Sequence, residues 1–290
     1  MRRRRRPGLA GYAFTAPALV LVFGVVYAGV VYTGYTSTLD WDGISPTPEQ
    51  VGLDNYRALA SDDLFWLTLR HLLIFFALTI PVQMALGFMI ALLLQTRVAG
   101  SMLVKACIFV PVVLAPAVVG SAFRQILAAD GALNQALDAV GLGALSHPWL
   151  ADPSTALFAV AAINVWQWTG FSFILYQAAL SQVDGEVLEA ARLDGASVPR
   201  TVLSIIAPLL RGTHITLLVI GCIGSLKTFD LVYVLTGGGP ARSTELLTTY
   251  LYSRTVVQFD VGYGAALTVV LLMFSVVLST VQSRVSERSD

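Results

Sequence analysis

The sequence predicts an all-α polytopic membrane protein: six transmembrane helices, with a short helix held in one of the connecting loops. Three observations predict it. Hydrophobic residues make up 56% of the 290-residue chain and charged residues only 12%, which is not the balance of a soluble domain. Six apolar runs each reach the roughly 20 residues needed to cross a hydrocarbon core. Outside those runs, Lys and Arg divide twelve to five between alternate loops, the asymmetry of a chain with both ends in the cytoplasm.

The chain opens on five arginines at 2–6, a run that suits cytoplasmic retention beside anionic headgroups and needs no nucleic-acid partner. Formal net charge is zero, which also gives no reason to expect nucleic acid. The first apolar run, about 12–35, is too long for a signal-peptide core and reads as a retained helix. Residues 37–67 are polar and turn-rich, an outside loop with Trp41 and Trp66 as interfacial anchors. The second span, about 69–94, carries Pro81 and Gln83 near its middle, so a packed or kinked helix is expected. Arg97 and Lys105 mark a basic inside loop before the third span, about 103–127, which contains Pro111 and Pro116. Between 128 and 153 a short amphipathic interfacial helix is expected, and His147 there lacks a second ligand at metal-like spacing.

The fourth span, about 154–180, holds Asn164, Trp166, Gln167, Trp168 and Tyr176. Amides at bilayer depth are costly unless paired or facing water, and rings beside them offer flat apolar faces. A sugar fits that combination: its C–H faces stack on rings and its hydroxyls need amide partners. Interhelical glue and an interfacial belt would account for the same residues. The fifth span, about 212–236, carries Lys227 and Asp230 three residues apart. On one helix face they either neutralise each other or line a water-filled path. The run Thr236-Gly237-Gly238-Gly239-Pro240 lacks the ending of a phosphate-binding loop, and Pro240 removes a backbone donor, so it is not a nucleotide site. The last span covers about 261–281. Cys107 and Cys222 sit in apolar runs and read as small buried side chains. His71, His147 and His214 are scattered, and no catalytic or metal arrangement can be assembled from them.

Between the fourth and fifth spans lies 182–211. Asp184 can N-cap a helix of two to three turns with Glu186 in its first turn, and Gly195 can close it in the left-handed conformation. Ser197 can N-cap a second helix that tolerates Pro199 and puts Val202, Leu203, Ile206 and Leu210 on one face. Many membrane proteins have a short capped helix in a loop, but the literal string is more specific. Glu189-Ala190-Ala191-Arg192-Leu193-Asp194-Gly195-Ala196, with Pro208 beyond it, resembles the E-A-A-x-x-D-G-A signature of permease subunits in binding-protein-dependent ABC importers. The branch it resembles is the maltose and glycerol-3-phosphate permease type. Gly52-Leu53-Asp54-Asn55-Tyr56, the T-G-G-G-P run with Ser243-Thr244, and Gly131 with Asn134 resemble further segments of that family. Phe123 departs from it where tryptophan is usual.

The resemblance implies a type I importer permease with a basic cytoplasmic N-terminus at 1–11, a six-helix transmembrane domain at 12–283 and a cytoplasmic tail at 284–290. Glu189, Ala190, Ala191, Asp194, Gly195 and Ala196 would form a cytoplasmic coupling helix seated in a groove of a separate ATPase. Asn164, Trp166, Gln167, Lys227 and Asp230 would line the substrate path. The implied partners are a second homologous permease, two ABC ATPases, an extracytoplasmic solute-binding protein and membrane lipid. The chain has no Walker motif, so ATP and magnesium would be bound by the partner ATPases and no cofactor by this chain. Localisation would be the prokaryotic inner membrane. An ion-coupled secondary transporter using Lys227 and Asp230 as a relay is the other class that these residues fit.

Overall fold

The computed structural model describes residues 9–95 and 101–287. The five arginines at 2–6, Arg97, the side chains of Arg284 and Glu287, and Arg288 lie outside the described residues. The chain divides into two compact units. One is built from the segment up to Asp62 and Leu251–Met273, the other from Asp63–Tyr250 and the segment from Phe274 on.

In the first unit, α1 (Leu9–Leu21) passes through a π-helical stretch, Val22–Tyr27, into α2 (Ala28–Thr36). The apolar window of this helix is left unburied by the rest of the chain, as a lipid-facing or subunit-facing surface would be. The loop after it is ordered by its own polar groups. Two short strands, β1 (Leu39–Asp40) and β2 (Glu49–Gln50), pair antiparallel ahead of α3 (Asp54–Ala60). Asn55 Nδ2 donates to the carbonyls of Ser37 and Leu39 at 3.0 and 2.8 Å, and the hydroxyls of Ser37 and Tyr56 are 2.6 Å apart. The G-L-D-N-Y string therefore does local work: it closes the loop onto the end of α2.

The second unit begins with α4 (Asp63–Leu93), 31 residues that run unbroken through Pro81. Next come α5 (Ser101–Val113) and α6 (Pro116–Ile126), which meet at 97°, so the third span is not the single helix predicted. The cause is local. Ala115 precedes Pro116 and adopts φ −61°, ψ 132°, the extended conformation that proline imposes on its predecessor. The short amphipathic helix expected in the following loop is α7 (Ala132–Ala139). Buried Asn134 organises that loop: its amide donates to the carbonyls of Ala129 and His147 and accepts from the Trp149 indole, at 3.0, 2.9 and 2.9 Å. His147 Nε2 lies 3.0 Å from an Asp152 carboxylate oxygen, a contact confined to the loop.

The fourth span is α8 (Ala156–Leu180), close to its predicted limits. It leads through four residues into α9 (Gly185–Leu193), then α10 (Val198–Thr201), a π-helical stretch Val202–Ile206, and α11 (Ala207–Leu209). A 69° bend at Leu210 separates Val198–Leu209 from Arg211–Leu226. Ile206 and Leu210 are buried and Val202 half-buried, but Leu203 points outward, because the π-helical turn shifts the face that a regular helix would have given it. The fifth predicted span is likewise divided: α12 (Arg211–Lys227) stops, Thr228 and Phe229 leave the helix, and α13 (Asp230–Thr236) follows. The Thr228 carbonyl freed by the break accepts from Thr248 Oγ1. Beyond α13 the glycine-rich turn folds on itself, with Thr244 Oγ1 between Thr236 Oγ1 and the Gly239 carbonyl at 2.7 Å from each.

The chain ends with α14 (Leu247–Tyr252), a π-helical stretch Ser253–Val257 and α15 (Val261–Glu287). In the first unit Arg254 reaches Asp62 at 3.4 Å and Asp260 at 3.6 Å and lies 4.7 Å over the Tyr263 ring, while Tyr263 Oη donates to Asp62 at 2.6 Å. Among the described residues four helices are long and apolar enough to cross a membrane, and counting each bent pair as one span brings the number to six. Both cysteines are free. Cys222 is half-buried as expected of a small apolar residue, but Cys107 is exposed, on a face of α5 that the rest of the chain leaves uncovered.

Among the described residues, two apolar cores sit at different levels of the second unit. One gathers Phe75, Val119, Val160, Ile163, Leu231 and Val232, from α4, α6, α8 and α13. The other gathers Ala91, Phe173, Tyr176, Ile206, Leu210 and Leu217, from the far ends of α4 and α8, the segment after α9, and α12. Helices α4 and α8 pass so closely that a Cβ on Gly87 would lie 2.7 Å from Ser172 Cβ and 2.8 Å from the Phe173 nitrogen. Only glycine permits that approach.

Candidate functional site

Between the two cores the helices carry polar residues. Along α8, Leu157, Val160 and Ile163 belong to the first core and Phe173, Tyr176 and Leu180 to the second, while Asn164, Gln167 and Ser172 fall between. On α4, Gln83 lies between Phe75 and Ala91 in the same way. A cavity of about 340 Å³ opens at this level, lined by Gln83, Asn164, Gln167, Trp168, Lys227 and Asp230 together with apolar residues of α4, α8 and α12. That volume is at the lower end of the ~300–1,000 Å³ typical of ligand pockets.

Each buried amide has a defined job. Gln83 Nε2 donates to Asn164 Oδ1 at 2.9 Å, so two residues from two helices satisfy one another at depth. Gln167 Nε2 donates at 3.0 Å to the Leu114 carbonyl, the group released by the break between α5 and α6. Since a carbonyl only accepts, the orientation of the Gln167 amide is set, and its Oε1 is left buried without a partner. Thus one residue both holds the broken span in place and keeps an unused acceptor at the cavity wall.

Lys227 and Asp230 do not share a helix face. Lys227 is the last residue of α12 and Asp230 the first of α13, with the break between them. The ion pairs among the described residues include neither. Each instead sits where a helix dipole favours its charge, the cation at a C-terminus and the carboxylate at an N-terminus. Both are exposed and both line the cavity, and among the described residues they form no ion pair with one another.

Trp166 is not brought to the cavity. It packs edge-on to Phe123 with ring centroids 5.2 Å apart, and the ring two residues on, Trp168, takes the place expected of it. Two cavity-lining positions were missing from the sequence-derived set, Gln83 and Trp168. An amide in the middle of an apolar run was the available signal for Gln83. Nothing in spacing separates the two tryptophans.

The second candidate feature is α9. Asp184 adopts φ −62°, ψ 127° and accepts from the Glu186 amide at 3.0 Å, an N-cap as predicted. At the other end Gly195 has φ +72°, with Ala196 N donating to the Ala191 carbonyl at 3.0 Å and Gly195 N to that of Arg192 at 3.1 Å. That pair of bonds is a Schellman closure. Glu189, Ala190 and Asp194 are exposed, Gly195 is exposed and Ala196 half-buried. Ala191 is 5% exposed and faces its own chain, so of the alanines read as a contact surface this one serves internal packing. Leu188 packs on the core that contains Tyr176 and Leu210, whereas Leu193 is 89% exposed beside Asp194. Among the described residues no group of three or more His, Cys, Asp or Glu side chains is arranged to hold a metal ion.

Comparison with known proteins agrees with this architecture. The family model for the inner membrane component of binding-protein-dependent transport systems matches residues 12–289. The chain is similar to a probable ABC transporter permease protein of Pyrococcus horikoshii, 33% identical over 277 residues, covering 95% of each chain. It is 30% identical over 277 residues to the sulfoquinovosyl glycerol transport system permease protein of Agrobacterium fabrum, covering 95% of this chain and 89% of that one. Its fold matches a chain of the bacterial ABC transporter that imports the acidic polysaccharide alginate, with a TM-score of 0.82 at 20% identity, over 96% of this chain and 94% of the other. An ABC-importer permease, and not a secondary transporter, is what the family match, the relatives and the helical architecture together describe. The chain belongs to the inner membrane components of binding-protein-dependent transport systems.

Proposed function

We propose that this chain is one of two permease subunits of an ATP-driven importer for a sugar or sugar derivative. A second homologous permease completes the pore, two ATPase subunits bind the nucleotide and its magnesium, and a solute-binding protein delivers cargo from outside. The observation that carries this reading is continuity: α8, whose middle lines the polar cavity, leads through four residues into α9, a helix capped at both ends and exposed along Glu189, Ala190 and Asp194. A short rigid helix with small and acidic side chains outward fits a basic groove on a partner, where charge-assisted hydrogen bonds form. Residues 185–196 then sit on the cytoplasmic side, in agreement with the Lys and Arg asymmetry. Closure of the ATPases moves α9, the helices tilt, and the cavity opens to the loaded binding protein.

Gln83, Asn164, Gln167, Lys227 and Asp230 provide hydrogen-bonding groups for a polyhydroxylated cargo, and Trp168 a flat apolar face. The relative named for sulfoquinovosyl glycerol and the structural likeness to an alginate importer support the carbohydrate class. In the assembled importer, Glu189→Cys should crosslink to an ATPase subunit, and Glu189→Lys should abolish transport-coupled ATP hydrolysis while membrane insertion is retained. Absence of the crosslink, or unchanged turnover in Glu189→Lys, would remove the basis of the proposal. Screening the cognate solute-binding protein against neutral and acidic sugars identifies the cargo.

A further inference from the structure

Between the cavity and α9 three rings from three helices touch. Phe88 of α4 lies 5.2 Å from Tyr176 of α8 and 5.9 Å from His214 of α12, and Tyr176 and His214 are 5.2 Å apart. His214 makes two hydrogen bonds from this position. Its Nε2 is 3.1 Å from the Ala207 carbonyl, and because that oxygen only accepts, Nε2 carries the proton. In the neutral imidazole Nδ1 is then the acceptor for the Tyr176 hydroxyl, 2.6 Å away.

The Ala207 carbonyl lies just ahead of the 69° bend at Leu210. His214 therefore spans the elbow, tying the arm before the bend to α12 after it, and Tyr176 ties both to α8. These three elements enclose α9 in the chain: Tyr176 precedes it and Ala207 follows it. Leu188 of α9 and Val202 beyond it pack on the same core that contains Tyr176, Leu210 and Leu217, and Leu217 lines the cavity. One packed and hydrogen-bonded cluster thus connects α9 to the cavity wall.

We infer that His214, held between Tyr176 and the Ala207 carbonyl, is the positioning residue that sets the elbow between the 198–209 arm and α12 and so carries the displacement of α9 to the cavity. The inference rests on the reading of α9 as the ATPase-docking helix. A residue that merely filled space here would respond to loss of packing and not to loss of a hydroxyl.

The test uses the full importer in lipid nanodiscs, with Cys107→Ser and Cys222→Ala as background. Gly224→Cys places a thiol on an exposed, cavity-lining position of α12 where a Cβ meets nothing within 4 Å. Its rate of labelling by a water-soluble maleimide is compared in the nucleotide-free and the ATP-vanadate-trapped complex. The parent should change at least fivefold. Tyr176→Phe, which removes one oxygen, and His214→Phe, which keeps a ring and removes both bonds, should reduce that change to under twofold. His214→Gln, which retains an N–H for Ala207, should recover at least half of it. A Glu189→Cys crosslink to the ATPase, read in parallel, should be equal in all of them. Should the crosslink persist while the nucleotide-dependent change survives in both Phe variants, or while the parent itself shows no change, the inference is overturned. A missing crosslink in the parent instead removes the proposed function on which it rests.

Discussion

The two caps of α9 are the points at which a small perturbation should have its most readable effect. Asp184→Ala removes the acceptor of the Glu186 amide, a loss of ~1 kcal/mol for an N-cap of this kind. Gly195→Ala forces a side chain onto φ +72°, at a cost of ~1–2 kcal/mol, and weakens the bonds that Gly195 and Ala196 make to the last turn. The two sites flank the nine-residue helix and are ~16 Å apart, so their effects should add, to ~2–3 kcal/mol. At ~1.4 kcal/mol per factor of ten, local opening becomes roughly 25- to 140-fold more frequent. A helix this short is marginal without its ends tied. Hydrogen exchange of the amides at 189–193 in the purified complex reports the opening directly, with Asp184→Ala alone giving about a fivefold effect and Gly195→Ala alone about 5- to 25-fold. Protection that drops less than about threefold in the double variant would refute the capping argument, because it would mean that contacts such as that of Leu188 with the core hold α9 without help from its ends.

Two further outcomes follow from local geometry. Gly87→Val puts branched carbon against backbone of α8 at under 3 Å, an overpacking cost of ~1–3 kcal/mol that should lower the melting temperature in detergent by about 2–10 °C; an unchanged melting temperature would show that α4 and α8 can separate freely. Glu245 is buried beside the glycine-rich turn, and burial raises its carboxyl above the ordinary value, Arg242 opposing. A raised carboxyl contributes stability below its unfolded pKa that is lost as pH rises through the folded one. Glu245→Gln should therefore match the parent in thermal stability below about pH 4 and exceed it at neutral pH; a parent whose melting temperature does not fall relative to the variant as pH rises contradicts this.

The parts of the fold that are legible in the sequence are those set by local forces. Apolar length predicts α4, α8 and α15, and capping chemistry predicts both ends of α9. The break at Ala115 is also local, since Pro116 forces it, yet apolar composition runs across it and conceals it. The break after Lys227 has no proline or glycine in it. It is held by Thr248, 20 residues on, and a contact at that distance leaves no local mark. The same limit explains the exchange of Trp166 for Trp168, which depends on Phe123 occupying one of two available faces. His214 reads as a scattered histidine for the same reason, because its partner Tyr176 is 38 residues away. The inward turn of Ala191 differs in kind: small residues permit close packing, but composition does not say whether the neighbour is the same chain or another.

The position of the cavity follows from how the polar groups are distributed. A buried amide without partners costs ~1–3 kcal/mol, so a bundle built for stability alone would place leucine at 83, 164 and 167. Here Gln83 and Asn164 cancel much of that cost against one another, and Gln167 recovers half of its own at Leu114. What is not recovered is one acceptor, Gln167 Oε1, along with two charges at facing helix ends. All lie at the single level where α4, α8 and the α12–α13 break coincide, with apolar cores on both sides. A break in a span exposes carbonyls that need partners, and polar side chains placed to serve them also provide a surface a hydroxylated solute can use. The irregular backbone and the polar cavity thus have one cause: the residues that make a broken helix tolerable inside a membrane are those that make its surroundings polar.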